Sequence, residues 1–276
     1  MVESQLFPPR LKEAAKVEMD RIFHQLPSEY GIGRTRWRLQ DLGGVLDWLK
    51  GCSVPGVSQL LKRLDFSRKQ ALAFIRSPDP EYASKVAAIA AARLEAQPHP
   101  AQVAVLYLDE LTYYRRPSKS AAYARCGKEQ PRALEAPRSN TQTRIVAALN
   151  ARTGQVTYLQ RSKVGKEALV AFYTQLRAAY PQTEKLYVVQ DNWPTHKLPE
   201  VMDAMQQQHI TPLFLPTYAS WLNPIEKLWR WLKQTVIHLH PFADILEELR
   251  LRVRAFLDLF LSGSQDLLHY VGLMSG

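Results

Sequence analysis

Two apolar runs that end in aspartate decide the fold of this chain. Residues 103–110 read VAVLYLDE, and residues 185–191 read KLYVVQD. Continuous apolar character over a short run is typical of a strand that is buried on both faces of a sheet. Each run therefore predicts a central strand, with a carboxylate at its carboxyl end, Asp109 in one case and Asp191 in the other.

Further elements alternate around these two runs. The order of apolar segments and turns predicts an α/β domain over residues 101–276, with a mixed sheet flanked by helices. This order matches a ribonuclease H-like domain, and other α/β folds share it. The predicted elements are a hairpin of strands 144–150 and 156–160 with its turn at Arg152-Thr153-Gly154, helices 166–179, 197–208, 224–238 and 243–261, and strand 210–215.

The first hundred residues are predicted to be helical. A helix over 1–26, with apolar positions that begin at Leu11, ends at Pro27, and a linker helix lies within 78–100, with the domain boundary at 97–100. Between them, helices near 36–50 and 54–64 outline a helix-turn-helix in 28–77. Any small helical bundle shares this outline. The polar residues that would read base edges from the second helix are Ser58, Gln59, Lys62 and Arg63.

Positive charge is concentrated in one segment. Residues 111–166 carry twelve Lys or Arg residues against two acids, which equals the +10 excess of the whole chain. Such a field favours a polyanionic partner, above all a nucleic acid, and a solvated surface is the alternative. The residues predicted to contact DNA phosphates in this segment are Arg115, Arg116, Lys119, Arg125 and Lys128.

Several classes of protein do not fit the sequence. Cys52 and Cys126 form no CxxC pair, so a disulfide framework or a zinc site is not expected. No apolar run approaches the roughly 18 residues of a membrane span, and the first residues lack a signal-peptide pattern. We therefore expect a cytoplasmic, nucleoid-associated protein without a membrane partner. The lack of a Gly-rich phosphate loop argues against a small-molecule α/β enzyme.

The acids at the strand ends are candidate metal ligands. Carboxylates that converge at the carboxyl ends of strands repel one another unless cations intervene, and oxygen ligands favour Mg²⁺ or Mn²⁺. Strand alternation places Asp109 and Glu110 on opposite faces, so we expect only Asp109 to join the site directly. Glu110 would sit behind it or point into solvent. Turn or capping chemistry is the alternative for Asp109 and Asp191.

A third acid, Glu226, begins a predicted helix. Asn223-Pro224-Ile225-Glu226 is typical of a capping box, with a cap residue, a proline and an acid at the third helical position. Capping alone would explain Glu226. A helix that starts at the site would also hold this carboxylate near phosphate, so the two roles are compatible.

Taken together, three motifs resemble the acidic motifs of DDE transposases of the Tc/mariner superfamily, in particular the bacterial insertion-sequence branch. They are LYLDE at 106–110, QDNWPTH at 190–196 and LPTYASWLNPIEKLW at 215–229. Between Asp191 and Glu226 lie 34 residues, the spacing of the branch that ends in glutamate. The chain is shorter at its start than usual for that branch, which suggests that part of the N-terminal DNA-binding region is lacking.

The resemblance implies a DNA transposase that cleaves transposon ends and joins them to double-stranded target DNA at TA sites, acting as a homodimer or larger assembly. It implies two Mg²⁺ or Mn²⁺ ions held by Asp109, Asp191 and Glu226. Glu110, Asn192, His196 and Asn223 would be supporting residues, and His196 could equally be structural. The rival functions are a ribonuclease H-like nuclease that does not join ends and a transposase-derived DNA-binding protein without catalysis.

Overall fold

The computed structural model describes residues 12–69, 76–137 and 140–274. The chain divides into two compact units, Met1–Ala73 and Phe74–Gly276. The start of the predicted first helix, including Leu11, lies outside the described residues, and so does Arg138 of the basic segment.

The first unit is a small helical unit around one apolar core. It contains α1 (Lys12–Phe23), α2 (Leu39–Val45) and α3 (Val54–Arg63). The predicted helix 36–50 is shorter in the structure, because Gly43 and Gly44 weaken it and Leu46 is extended. A 3-10 turn follows at Asp47–Leu49.

Helix α3 has one buried face and one exposed face. Ser53 caps it by accepting a hydrogen bond from the Gly56 amide, and Leu60 is among the buried residues. Of the four side chains predicted to read DNA, Gln59, Lys62 and Arg63 are exposed and Ser58 is half-buried. The apolar spacing leaves these polar side chains on the free face of the helix.

The second unit contains the predicted mixed sheet. Its strand order is β3-β2-β1-β4-β5, with β1 parallel to β4, β4 parallel to β5, and the pairs β1–β2 and β2–β3 antiparallel. This confirms the ribonuclease H-like sheet and the hairpin. The strands are β1 (Val103–Tyr114), β2 (Gln142–Asn150), β3 (Val156–Arg161), β4 (Lys185–Gln190) and β5 (Ile210–Phe214).

Helices cover both faces of this sheet. One face packs against α5 and α6, and the other against α4, α7, α8 and α9. Continuous apolar sequence in β1 and β4 is explained by this double burial. The helices are α4 (Tyr82–Ala96), α5 (Lys166–Ala179), α6 (Pro199–Gln207), α7 (Ile225–Leu232), α8 (Leu246–Asp258) and α9 (Gln265–Val271).

Three details differ from the expectations. Helix α4 packs on the sheet through Ile89 and Ala92, so the break between units falls before this helix rather than at 97–100. The predicted helix 224–238 changes to a π-helical turn at Lys233–Ile237. Helix α9 was not predicted, because its seven residues are too few for a clear period.

None of the helices in the described ranges is long and apolar enough to cross a membrane.

Candidate active site

The two predicted aspartates lie side by side at one end of the sheet. In the parallel pairing of β1 and β4, Tyr107 is opposite Val189. Asp109 and Asp191 each follow two residues later, so they lie at the same level of adjacent strands. Since side chains alternate along a strand, Asp109 follows the face on which Tyr107 is buried, whereas Asp191 lies just beyond the last residue of β4.

A tryptophan of α7 holds Asp109. Its Oδ2 accepts a hydrogen bond from Trp229 Nε1 at 2.8 Å. Burial, together with the negative charges of Glu226 and Glu110, raises the pKa of Asp109 to about 8, although the hydrogen bond from Trp229 acts to lower it. Asp109 is thus a carboxyl that is costly to ionise when no cation faces it.

Asp191 lies in the loop that follows β4, and its side chain is exposed. Its Oδ1 accepts a hydrogen bond from the Trp193 amide at 2.9 Å. The next residue, Asn192, donates to the Leu215 carbonyl and accepts from Lys197 Nζ at 2.8 Å. Asn192 therefore links the loop after β4 to the loop after β5, and both polar atoms of its side-chain amide form hydrogen bonds within the protein.

The start of α7 is fixed to β1 by Asn223. This buried side chain donates from Nδ2 to the Leu108 carbonyl at 3.0 Å. The capping-box interpretation was wrong, because α7 has no side-chain cap bond and its cap position is Pro224. The Asn223 side chain turns to β1 instead, which leaves the Glu226 carboxylate free at the same end of the sheet.

The charge of Glu226 couples it to the aspartates. Loss of hydration raises the pKa of Glu226, the Asp191 charge adds to this, and Lys233 and Arg230 lower it. Glu226 in turn raises the pKa of Asp109. The structure therefore brings the three predicted acids to the same end of the sheet.

Glu110 also reaches this end. Its side chain is 17% exposed, and Oε1 lies 3.3 Å from His196 Nε2, so the alternative that it points into solvent was wrong. One ligand atom from each of Glu110, Asp191 and His196 lies within 4.8 Å of the others. The alternation of side chains along β1 does not prevent Glu110 from approaching Asp191. Asp191 lies beyond the last residue of β4, so its side chain can approach either face of the sheet.

His196 is completely buried. Its Nδ1 lies 3.3 Å from the Tyr173 hydroxyl, which donates to Gln190 Oε1 at 2.8 Å. The Trp193 ring packs edge-on against the imidazole, with the centroids 5.4 Å apart. The side chains of Asn192, His196 and Asn223 thus make their contacts inside the protein, around the acids.

Two contacts of the site were not predicted from the sequence. Trp229 is 1% exposed, as a core residue is, and it also donates a hydrogen bond to Asp109. Trp229 follows Glu226 by three residues, so both lie on one face of the helix, and this spacing could have indicated that Trp229 lies near the site. Tyr173 lies 23 residues from His196, and no local pattern of residues predicts that contact.

The basic residues predicted to bind phosphates lie on the segment that connects β1 and β2. Lys119, Arg125 and Lys128 are exposed. Arg115 donates to the Pro137 carbonyl at 3.0 Å, and Arg116 lies 4.0 Å from Glu135. Most of this predicted set is therefore free to meet an anion.

The pKa of Asp109 predicts a pH-dependent stability of the metal-free protein. Between its ordinary pKa of 3.8 and about 8, the folded protein holds a proton that the unfolded chain has released. Raising the pH through this window therefore favours unfolding. We expect Asp109→Asn, which keeps an acceptor for Trp229, to raise the melting temperature at pH 8 in EDTA by about 4 °C, since about 1–2 kcal/mol of repulsion is removed.

The same comparison at pH 3, below the ordinary pKa of 3.8, is the control for this prediction. There, the wild-type carboxyl is protonated in both the folded and the unfolded chain and resembles the amide, so the two melting temperatures should agree. A gain of equal size at both pH values would contradict the assignment of the effect to the Asp109 charge.

Comparison with known proteins places this site in a family. Residues 104–250, more than half of the chain, match the family model described as DDE superfamily endonuclease. The insertion element IS630 uncharacterized 39 kDa protein of Shigella sonnei is 25% identical over 235 residues, which cover 84% of this chain and 67% of that protein.

Solved structures of Mos1 transposase share the fold. The paired-end complex with the left transposon end has a TM-score of 0.65 at 13% identity, covering 98% of this chain and 77% of that chain. The Mos1 strand transfer complex has a TM-score of 0.66 at 14% identity, with the same coverage. The predicted resemblance to Tc/mariner transposases of the insertion-sequence branch is confirmed, and the chain belongs to the DDE superfamily endonuclease family.

Proposed function

We propose that this chain is a transposase that cleaves DNA at the ends of a mobile element and joins the freed 3′ ends to target DNA. The observation that carries the proposal is the placement of Asp109, Asp191 and Glu226 at one end of a ribonuclease H-like sheet, where Glu226 raises the pKa of Asp109. Water attacks the scissile phosphorus, the bond to the 3′ oxygen breaks, and that oxygen takes up a proton. The resulting 3′-OH then attacks a phosphorus of the target and gives up its proton, while the bond from that phosphorus to the target's own 3′ oxygen breaks, so one phosphodiester bond replaces another.

The donor set fits divalent cations. Asp109 is buried beside the charges of Glu226 and Glu110, and its carboxyl is hard to ionise without a positive partner. Asp109, Asp191 and Glu226 would hold two ions, with Mg²⁺ or Mn²⁺ matching the oxygen ligands. When bound, such ions lower the pKa of water and stabilise a departing oxygen. The Mos1 complexes with Mn and with Mg carry such ions by their descriptions.

The protein's own contribution is to hold the three carboxylates in place. Trp229 fixes Asp109 through its indole, and the Trp193 amide fixes Oδ1 of Asp191. Asn223 attaches the start of α7 to β1, which keeps Glu226 next to both aspartates. Acids held in advance by rigid elements do not have to reorganise when the phosphate arrives.

Basic residues would supply the DNA contacts. The exposed Lys119, Arg125 and Lys128 suit phosphates, which fix the position of DNA without reading its sequence. The free face of α3, with Gln59, Lys62 and Arg63, suits base edges in a major groove. We propose TA as the target, because pyrimidine–purine steps deform easily. Pairing of two ends would require a homodimer or a larger assembly.

The test is a cleavage and joining assay on the full chain. Its substrate is a plasmid that carries the DNA flanking the gene, with a second plasmid as target. We expect 3′-OH ends and joined products at TA in Mg²⁺ or Mn²⁺, and neither in EDTA. Cutting without joining would instead identify a nuclease, and binding without cutting a DNA-binding protein. Either result would overturn the proposal.

A further inference from the structure

Within the described part of the chain, His196 Nε2 faces the oxygens of two carboxylates. The Tyr173 hydroxyl has one hydrogen, which it donates to Gln190 Oε1. Its oxygen can therefore only accept from His196 Nδ1, 3.3 Å away, so Nδ1 carries the imidazole hydrogen. In a neutral imidazole the other nitrogen, Nε2, then offers a lone pair.

That lone pair is aimed at two carboxylates. Nε2 lies 3.3 Å from Glu110 Oε1 and 3.5 Å from Asp191 Oδ1. His196 is fully buried, and among the described residues neither its Nε2 nor Glu110 Oε1 has a hydrogen-bond partner. Three electron-rich atoms in contact, two of them shielded from water, repel one another unless a positive charge is shared among them, either a proton on Nε2 or a metal ion that all three bind.

The spacing of the three atoms suits a metal ion. Ligands at about 2.1 Å from one ion are about 3.0 Å apart at a right angle and about 3.4 Å apart at a tetrahedral angle. The two separations from Nε2, 3.3 and 3.5 Å, lie close to these values. The hydrogen bonds that link Gln190, Tyr173 and His196 also resemble the contacts that usually orient a metal-bound histidine from behind.

We propose that Glu110 Oε1, Asp191 Oδ1 and His196 Nε2 bind a divalent transition-metal ion, Mn²⁺ or Zn²⁺ in preference to Mg²⁺. A nitrogen ligand accounts for the preference, since imidazole suits transition metals and Mg²⁺ favours oxygen. The site goes beyond the proposed catalytic set because Glu110 and His196 lie outside that set. It rests on the proposed function only through their shared residue, Asp191.

The test is electron-spin-echo spectroscopy of Mn²⁺ added to the full chain without DNA. We expect modulation from a directly bound imidazole nitrogen in the wild type, and its retention when excess Mg²⁺ is added. His196→Gln should abolish the signal. Glu110→Gln, which removes one ligand and leaves the histidine, should weaken Mn²⁺ binding at the nitrogen-coordinated site at least about tenfold.

A matched control is His240→Gln. His240 is also buried, and it lies outside the cluster, so the nitrogen signal should not change. Bound Mn²⁺ with no nitrogen modulation in the wild type would overturn the proposal, and so would a signal that survives in both His196→Gln and Glu110→Gln. If His196→Gln fails to fold, the Glu110→Gln result decides. No DNA is present, so failure of the cleavage assay would not affect this measurement.

Discussion

Asp191→Asn and Glu226→Gln are each expected to lower metal-dependent DNA cleavage at least about 1,000-fold, with DNA affinity changed less than about threefold. Each substitution replaces a carboxylate by a neutral amide of nearly the same shape. Asp191 is exposed and keeps its bond from the Trp193 amide as an asparagine, so folding should not suffer. The measurement is the single-turnover rate of strand cleavage in Mn²⁺.

Asp203→Asn is the matched control for these variants. Asp203 is an exposed acid on α6, outside the site, and the same loss of charge there should leave cleavage unchanged. DNA affinity measured in EDTA separates a loss of chemistry from a loss of binding. Cleavage within about tenfold of wild type by either site variant would remove that residue from the catalytic set.

Gly154→Ala is expected to cost about 4 kcal/mol or more in the free energy of unfolding. Gly154 ends the turn between β2 and β3 with φ at +69°, and an added Cβ would lie 2.2 Å from the Ser264 carbonyl oxygen. The Thr153 carbonyl accepts a hydrogen bond from the Ser264 amide at 2.9 Å. The added Cβ would therefore collide with backbone atoms that cannot move apart without weakening this hydrogen bond. Urea unfolding followed by circular dichroism measures the loss.

Gly127→Ala is the control that separates two costs of Gly154→Ala, the collision of the new Cβ and the strain of a positive φ. Gly127 also has a positive φ, at +136°, but no atom lies within 4 Å of an added Cβ. It is exposed in the same unit, so its substitution should cost about 1 kcal/mol. Equal losses in the two variants would show that packing against Ser264 contributes nothing.

Much of the fold was predictable because its signals are local. The apolar runs of β1 and β4, the turn at Gly154 and the helical spacing of α3 each follow from the period of neighbouring residues. The positions of Asp109 and Asp191 at strand ends follow from the same runs. Parallel pairing of β1 with β4 then places Asp109 and Asp191 at the same end of the sheet, as the register of the two strands shows.

Local sequence patterns therefore specify the elements and the acids that they carry. The contacts of those acids depend on how distant elements pack together. Asn223 and Leu108 are 115 residues apart, and Trp229 and Asp109 are 120 apart, so no local period encodes either bond. Glu110 at β1 contacts His196, which lies in the 3-10 turn Pro194–Lys197 that follows β4. Such contacts depend on how whole helices and strands pack against one another. Packing determines the distances between side chains that are far apart in sequence, and local spacing does not.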